Sequence, residues 1–176
     1  MKNGLVFGLL AGIIYLGWII IGGEMFPNLI YGSIPSITIS SILTLIFMVF
    51  ACQKEKSSFD GSLRFGEAFL VCLMTYAAFN IIYGIGFKFY MEGSATAMAT
   101  FVDTTKTSMT ELMTKMGTPE DEIFKAVEGI DKSLPTMFSW KTTLLNIFGT
   151  TIFPGALLAL IVAAIFSKLS NNKSTK

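Results

Sequence analysis

Four long apolar segments dominate the pattern of hydrophobic and polar positions along the chain. They cover residues 4–23, 34–52, about 65–90 and about 143–169. Each comes close to or exceeds the roughly 20 apolar residues that a helix needs to cross a bilayer. The second is diluted by five Ser or Thr, whose hydroxyls can bond a carbonyl one turn earlier. The pattern predicts an all-α membrane protein with four transmembrane helices, in which residues 1–176 form a single integral membrane domain.

The first segment follows Lys2, as the core of a secretory signal would. Its apolar run is longer than the usual signal core of about 7–15 residues. The sequence "GGEMFPN" follows it, which contains no A-x-A-like cleavage site. We therefore expect the first segment to be a permanent span.

The Lys and Arg residues of the connections predict the orientation in the membrane, because short loops on the cytoplasmic side are enriched in these residues. Residues 24–33 contain Glu24 and no base, whereas bases follow the second and fourth segments. These bases are Lys54, Lys56, Arg64, Lys168, Lys173 and Lys176. We expect both termini on the cytoplasmic side of the membrane and residues 91–142 on the outer side.

Residues 91–142 form the polar connection between the third and fourth segments. Apolar positions recur there at steps of three to four, which predicts helices at 95–116 and 119–133. In the intervening "GTPEDE", Gly117 can end the first helix, Thr118 can cap the second, and Pro119 suits its first position. The segment therefore predicts an extracytoplasmic helical hairpin with antiparallel arms.

Methionines recur along the first arm of this hairpin, at Met98, Met109, Met113 and Met116. A flexible thioether stripe suits an adaptable binding face, which favours a protein partner at the outer hairpin. A hairpin core, or a contact with the membrane surface, accounts for the same spacing. Both interpretations stay open at the level of sequence.

Small residues mark one face of the first and one face of the fourth segment. Gly4, Gly8 and Gly12 are spaced by four, as are Gly155, Ala159 and Ala163. Such faces let helices approach closely in lipid and gain dispersion contacts. We expect the first and fourth segments to pack on each other through these faces, and the rival interpretation is a homo-oligomer.

Three residues interrupt the apolar character inside the segments. Pro154 lacks a backbone N–H and should kink the fourth segment. Asn80 and Asn146 are the most polar side chains deep within predicted spans, where an amide can bond across helices. Structural hydrogen bonding is the plainer interpretation of both, and a place on a translocation pathway is the alternative.

The amino-acid composition limits which catalytic, metal-binding and nucleic-acid-binding functions the chain can have. The chain has no His, only 14% charged residues and a net charge of +1. It therefore lacks the commonest general base, the commonest zinc ligand and a basic field for nucleic acid. Cys52 and Cys72 form no CxxC pair and are interpreted as small apolar residues. With no nucleophile–base or phosphate-loop motif, the sequence predicts a non-enzyme with no catalytic residue, no cofactor, no metal and no nucleic-acid partner.

The stretch "GSLRFGEAFLVCLMTYAAFNIIYGIGFKFY" resembles the third-span signature of an uncharacterised bacterial membrane family, domain-of-unknown-function family 4199. The matching residues are Phe65, Gly66, Glu67, Ala68 and Phe69. The acidic "GTPEDEIFKAVEGI" and a final span with a basic tail extend the resemblance over nearly the whole chain. The resemblance implies a small four-span integral protein of a bacterial inner membrane and implies no known activity.

Glu67 stands at the mouth of the third segment, in "DGSLRFGEAF". The resembling family has a Ser three residues before this position, which is the spacing of a capping box, but Arg64 replaces it here. We interpret Glu67 as a helix-start residue that reaches back to the backbone at Arg64, with the guanidinium as an ion-pair partner. A proton- or cation-handling carboxylate is the alternative interpretation.

These observations predict a small non-enzymatic integral membrane protein, an accessory, sensor or interaction subunit that uses its outer hairpin. The alternative is an oligomeric small transporter or channel subunit, since one four-span unit is short for a transporter with two inverted repeats. The expected partners are the lipid bilayer, a protein at the outer hairpin, and, in the alternative, further copies of the chain.

Overall fold

Helices account for nearly all of the described chain, as long apolar runs with few prolines require. The computed structural model describes residues 1–57 and 63–171. Within these residues there are eight α-helices and a π-helical stretch, and no β-strand. They are α1 (Lys2–Met25), α2 (Pro27–Ile30), α3 (Ser33–Ser57), α4 (Phe65–Gly93), α5 (Ala95–Lys115), α6 (Glu120–Met137), α7 (Trp140–Thr150), the π-helical stretch (Thr151–Gly155) and α8 (Ala156–Asn171). The predicted all-α fold class is confirmed.

Four helical stretches are long and apolar enough to cross a membrane. They are the first span (Lys2–Met25), the second span (Pro35–Ser57), the third span (Phe65–Gly93) and the fourth span (Trp140–Ser167). The prediction of four spans is confirmed, and each helix runs a few residues past its apolar run because polar flanks continue the backbone hydrogen bonds. The protein is therefore a multi-pass membrane protein. Lys173 and Lys176 of the basic tail lie outside the described residues.

The bundle has two distinct ends. The helices α5 and α6 pack at one of them, called here the hairpin end. The amino group of Met1 pairs with Glu55 at the other, called the terminal end. The third span lies at the centre and contacts the first, second and fourth spans. Its side chains therefore decide how closely the other spans can approach.

The glycine face of the first span packs against the third span. A Cβ at Gly4 would lie 2.6 Å from the carbonyl oxygen of Val71, and one at Gly12 would lie 2.8 Å from the Cβ of Ile82. The prediction that this face packs on the fourth span is therefore wrong. The spacing of small residues identifies a close-packing face, but it does not identify which helix that face meets.

The small-residue face of the fourth span also meets the third span. A Cβ at Gly155 would lie 2.5 Å from Cδ1 of Tyr76. Ala159 and Ala163 are fully buried in a cluster with side chains of the second and third spans. Both small-residue faces therefore serve packing within the chain, where close approach yields dispersion contacts that lipid does not replace.

This cluster fills the terminal-end half of the bundle. Cys52 and Cys72 lie within it, completely buried, with their sulfur atoms 3.3 Å apart. Met48, Val71 and Val162 are almost completely buried beside them. The two cysteines therefore occupy core positions between the second and third spans.

The turn between α5 and α6 is set by Gly117. Its φ of +75° lies in the left-handed region, where a side chain would be strained. The N–H groups of Gly117 and Thr118 donate to the carbonyls of Thr114 and Met113, which is the Schellman pattern that ends a helix. The predicted bounds of the second arm are wrong at both ends. Pro119 rather than Thr118 is the N-cap, so α6 begins at Glu120, and α6 ends at Met137 rather than at residue 133.

The two arms pack on each other and on the hairpin end of the bundle. Lys106 of α5 forms a 2.6 Å ion pair with Asp131 of α6. The helix α5 begins directly after the third span, where the Ser94 hydroxyl accepts a hydrogen bond from the N–H of Ala97. The Phe101 ring packs edge-on against Tyr31, with the ring centroids 5.6 Å apart. The base of the hairpin is therefore anchored to the spans.

We predict that Gly8→Leu destabilises the protein, because a Cβ at Gly8 would overlap the carbonyl oxygen of Thr75 and lie 2.7 Å from the Ala78 Cβ. Overpacking of this kind costs about 1–3 kcal/mol. The melting temperature of the detergent-solubilised protein should fall by several degrees. Gly17→Leu is the matched control on the same helix, because a Cβ there has nothing within 4 Å. Equal melting temperatures for the two variants would contradict close packing at Gly8.

Candidate ligand-binding site

A cavity of about 750 Å³ occupies the hairpin-end half of the bundle. Ser36 and Ser40 of the second span line one side, and Thr143, Asn146 and Thr150 of the fourth span line another. It therefore separates the hairpin-end halves of these two spans. At the terminal end, in contrast, the second span packs against α8. Its volume lies within the range of about 300–1,000 Å³ that is typical of small-molecule sites.

The π-helical stretch shapes the wall that the fourth span contributes. Pro154 lies inside it and lines the cavity. Because proline cannot donate a backbone hydrogen bond, the regular helix is interrupted here. The hydroxyls of Thr150 and Thr151 donate to the carbonyls of Asn146 and Ile147, each at 2.7 Å. The predicted kink thus takes the form of a single wide turn, supported by hydroxyl groups.

Asn80 joins the third span to this wide turn at mid-bundle depth. Its side chain is 6% exposed, and its amide nitrogen donates to the Thr151 hydroxyl at 3.0 Å. Asn146 has an exposed side chain and lies on the part of the cavity wall formed by α7. The two amides therefore play different parts, one in a buried cross-helix bond and one at the cavity surface.

Aromatic rings form a continuous series along one side of the cavity. Phe79, Tyr83 and Phe87 follow each other at a spacing of four on the third span, with centroids 5.9 and 5.5 Å apart. The series continues from Phe87 to Phe101 at 5.9 Å and from Phe101 to Phe138 at 5.8 Å. We call these five residues the aromatic ladder. Its first three members were visible in the sequence as a four-residue repeat, but the sequence analysis did not single them out.

Lys88 is the charged residue of the cavity lining. It is 3% exposed, donates to the Phe138 carbonyl at 2.5 Å and pairs with Glu92. Its ammonium also lies 5.0 Å from the centre of the Trp140 ring. The sequence analysis did not single out Lys88, although a base within an apolar segment is a signal in itself. Glu92, which is not among the lining residues, pairs with Lys88 and offsets its positive charge.

The walls also carry uncharged hydrogen-bonding groups. The Tyr15 hydroxyl lies 3.0 Å from that of Ser36, which ties the first span to the second. At the hairpin end of the cavity, burial raises the pKa of the Tyr31 phenol above its ordinary value, so this group stays protonated at neutral pH. The cavity thus combines aromatic surface with neutral donors and acceptors.

Arg64, Gly66 and Glu67 lie away from the cavity, at the start of the third span. A Glu67 side-chain oxygen accepts a hydrogen bond from the Arg64 N–H at 3.0 Å. The guanidinium of Arg64 is exposed and carries only N–H donors. It cannot accept a hydrogen bond from a backbone N–H of the first turn, so the capping box is not completed. Gly66 is exposed, and a Cβ there would have nothing within 4 Å. About 20 Å of helix separates Glu67 from Asn80, given a rise of 1.5 Å per residue.

We predict that Glu67→Gln folds normally and lowers the unfolding free energy by about 1 kcal/mol or less, because the amide oxygen can still accept the Arg64 N–H. Glu67→Ala, which removes this acceptor, should cost more. Thermal melting in detergent measures both variants. A loss for Glu67→Gln as large as that for Glu67→Ala would mean that the charge, and not the hydrogen bond, is what this position supplies.

Comparisons with known proteins place the chain in a family. No curated protein and no solved structure matches the chain. Residues 2–168 match the family described as protein of unknown function (DUF4199), in accordance with the resemblance drawn from the third span. Because the match covers almost the entire sequence, the chain belongs to the DUF4199 family of proteins of unknown function.

Proposed function

We propose that the protein is a non-enzymatic sensor or accessory subunit of a bacterial inner membrane, which binds a small molecule in the cavity and contacts a protein through its hairpin. One observation carries this proposal. Phe101 of α5 and Phe138, which directly follows α6, both line the cavity and both contact Phe87 of the third span. A molecule in the cavity would therefore touch the base of the hairpin directly.

The exposed surface of the hairpin supports the protein-partner part of the proposal. Met109, Leu112 and Met116 are exposed along one face of α5, and Phe124 of α6 is 70% exposed. Residues 95–137 carry seven carboxylates against four lysines. An anionic lipid surface would repel this excess negative charge. A basic protein partner suits the hairpin better than the membrane surface does.

The chemistry of the cavity supports binding rather than catalysis. The whole chain lacks histidine. Among the described residues that line the cavity there is no carboxylate and no thiol. The buried ammonium of Lys88 is held by Glu92 and by the Phe138 carbonyl, so it is poorly placed to act as a base. These residues can orient a bound molecule, but they offer no nucleophile–base pair.

A transporter or channel subunit is the second candidate. A helix that is interrupted at mid-bundle depth, as at Pro154, beside a polar pair such as Asn80 and Thr151 is a feature of transporter binding sites. The terminal-end half of the bundle is filled by the buried cluster around Cys52 and Cys72. Transport would therefore need a second conformation, in which this cluster separates, together with assembly into an oligomer.

We predict that a cysteine placed at Lys125 reacts with a membrane-impermeant thiol reagent in intact cells and that one placed at Ser57 does not. Lys125 lies on α6, whereas Ser57 ends the second span near the bases Lys54 and Lys56. This pattern follows from the preference of basic loops for the cytoplasm. Permeabilised cells, in which both positions should react, provide the control. Reaction at Ser57 in intact cells would reverse the proposed orientation.

We predict that Phe101→Ala loosens the hairpin, because it removes the ring that contacts Tyr31, Phe87 and Phe138. Hydrogen exchange of residues 95–137 in nanodiscs should become at least about tenfold faster, which corresponds to about 1.4 kcal/mol of local stability. Phe124→Ala is the matched control, since that side chain is 70% exposed. Unchanged exchange in Phe101→Ala would remove the physical link between cavity and hairpin, and with it the proposed sensor role.

A further inference from the structure

We infer that the cavity binds an uncharged lipid with a planar, oxygen-bearing ring, of the quinone type, which enters from the bilayer between the second and fourth spans. This inference rests on the proposed function, because it names the ligand that the proposed sensor would detect. Four properties of the cavity lead to it: its charge, its aromatic wall, its hydrogen-bonding groups and its depth.

The charge balance of the lining disfavours an anionic head group. Lys88 is the charged residue among the described lining residues, and Glu92 already pairs with it. A phosphate or a carboxylate would leave its water shell without a free positive charge in return, which is costly in a buried site. An uncharged molecule enters without this cost.

The aromatic ladder favours a planar ring over a saturated chain. Phe79 and Tyr83 are nearly parallel, with an interplanar angle of 19°. Tyr83 and Phe87 are partly exposed and line the cavity. Aromatic pairs gain about 0.5–1.5 kcal/mol beyond the burial of their area, through stacked or edge-on geometry. A flexible hydrocarbon chain gains no such geometric preference.

Hydrogen-bond donors of the walls can recognise ring oxygens. The Lys88 ammonium has three N–H groups, and the structure assigns it two acceptors, Glu92 and the Phe138 carbonyl. Tyr15, Ser36 and Ser40 add hydroxyls to the lining. The Tyr15 hydroxyl is hydrogen-bonded to Ser36 and the Ser40 hydroxyl donates to the Ile37 carbonyl, so each would exchange an existing hydrogen bond for one to a ring oxygen. Carbonyl oxygens on a ring accept hydrogen bonds without carrying charge, which matches this set of donors.

The depth of the cavity suits a molecule that occupies one leaflet. Its lining runs along the third span from Tyr76 to Lys88. Twelve residues of helix cover about 18 Å, close to half of the roughly 30 Å hydrocarbon thickness of a bilayer. Ile37 of the second span lines the cavity and is nevertheless 65% exposed, so the cavity is open at this wall. The tail of a bound molecule can therefore leave sideways into the bilayer while its ring stays inside.

Fluorescence quenching tests this inference. The Trp18→Phe variant leaves Trp140 as the single tryptophan, and its ring lies 5.0 Å from the ammonium of Lys88, which lines the cavity. The protein is placed in nanodiscs of phosphatidylcholine and titrated with a decyl-substituted benzoquinone, which quenches tryptophan on close approach. We expect saturable quenching of Trp140. A quench that rises linearly with quinone concentration, without saturation, would overturn the inference.

Variants that fill the cavity locate the binding site. Ser40→Phe places a ring in the cavity from the second span, and Asn146→Phe does so from an exposed position on the fourth. Each should weaken apparent quinone affinity at least about tenfold. Ile42→Phe is the control, because Ile42 is 54% exposed on the second span and does not line the cavity. Melting temperatures identify any variant that misfolds. If one of the two filling variants misfolds, the other still tests the site. Equal affinity in a folded filling variant and in Ile42→Phe would overturn the inference.

Mass spectrometry of co-purified lipid separates the ligand class from the proposed function. A ring-bearing neutral lipid that is retained by the native chain and lost in Ser40→Phe supports the inference. A neutral acyl lipid with the same behaviour overturns the ring-bearing class and leaves the sensor role standing. The exchange experiment on Phe101→Ala addresses that role independently of which ligand is bound.

Discussion

Close packing of the first span against the third is the contact on which the rest of the structure depends. In lipid there is no hydrophobic force between apolar helices, so association relies on dispersion at short range. Gly4, Gly8 and Gly12 allow this close approach, because without side chains they leave the backbone of the first span open to the third span. With Gly155 on its other side, the third span becomes the centre of the bundle. The second and fourth spans are then arranged around it rather than against each other along their whole length.

The cavity follows from this arrangement. Small buried side chains, among them Ala51, Ala159 and Ala163, let the second and fourth spans approach each other at the terminal end. At the hairpin end, the aromatic ladder and the wide turn at Pro154 keep them apart. The hairpin then closes the space from above through Phe101 and Phe138. The terminal-end half of the bundle is consequently a packed core. The hairpin-end half contains the cavity, which is covered by residues of the polar hairpin.

Features that depend on neighbouring residues could be predicted from the sequence. The four spans follow from apolar runs, the turn at Gly117 follows from the freedom of glycine, and the position of Glu67 follows from the polarity of a helix start. The incorrect predictions concern contacts between residues far apart in the sequence, or the exact residue at which a helix begins. The partner of the first glycine face was assigned to the wrong span, and the N-cap of α6 was placed at Thr118 instead of Pro119.

The sequence by itself determined that this is a four-span helical protein with a polar hairpin, because hydropathy and turn chemistry act over a few residues. Only the tertiary structure decided that the aromatic ladder, Lys88 and the hydroxyls of the second and fourth spans surround one cavity. The side chains that meet there come from distant parts of the chain. Apolar helices carry little information about which neighbour they choose, since many faces can pack in lipid, and shape complementarity in three dimensions makes the selection.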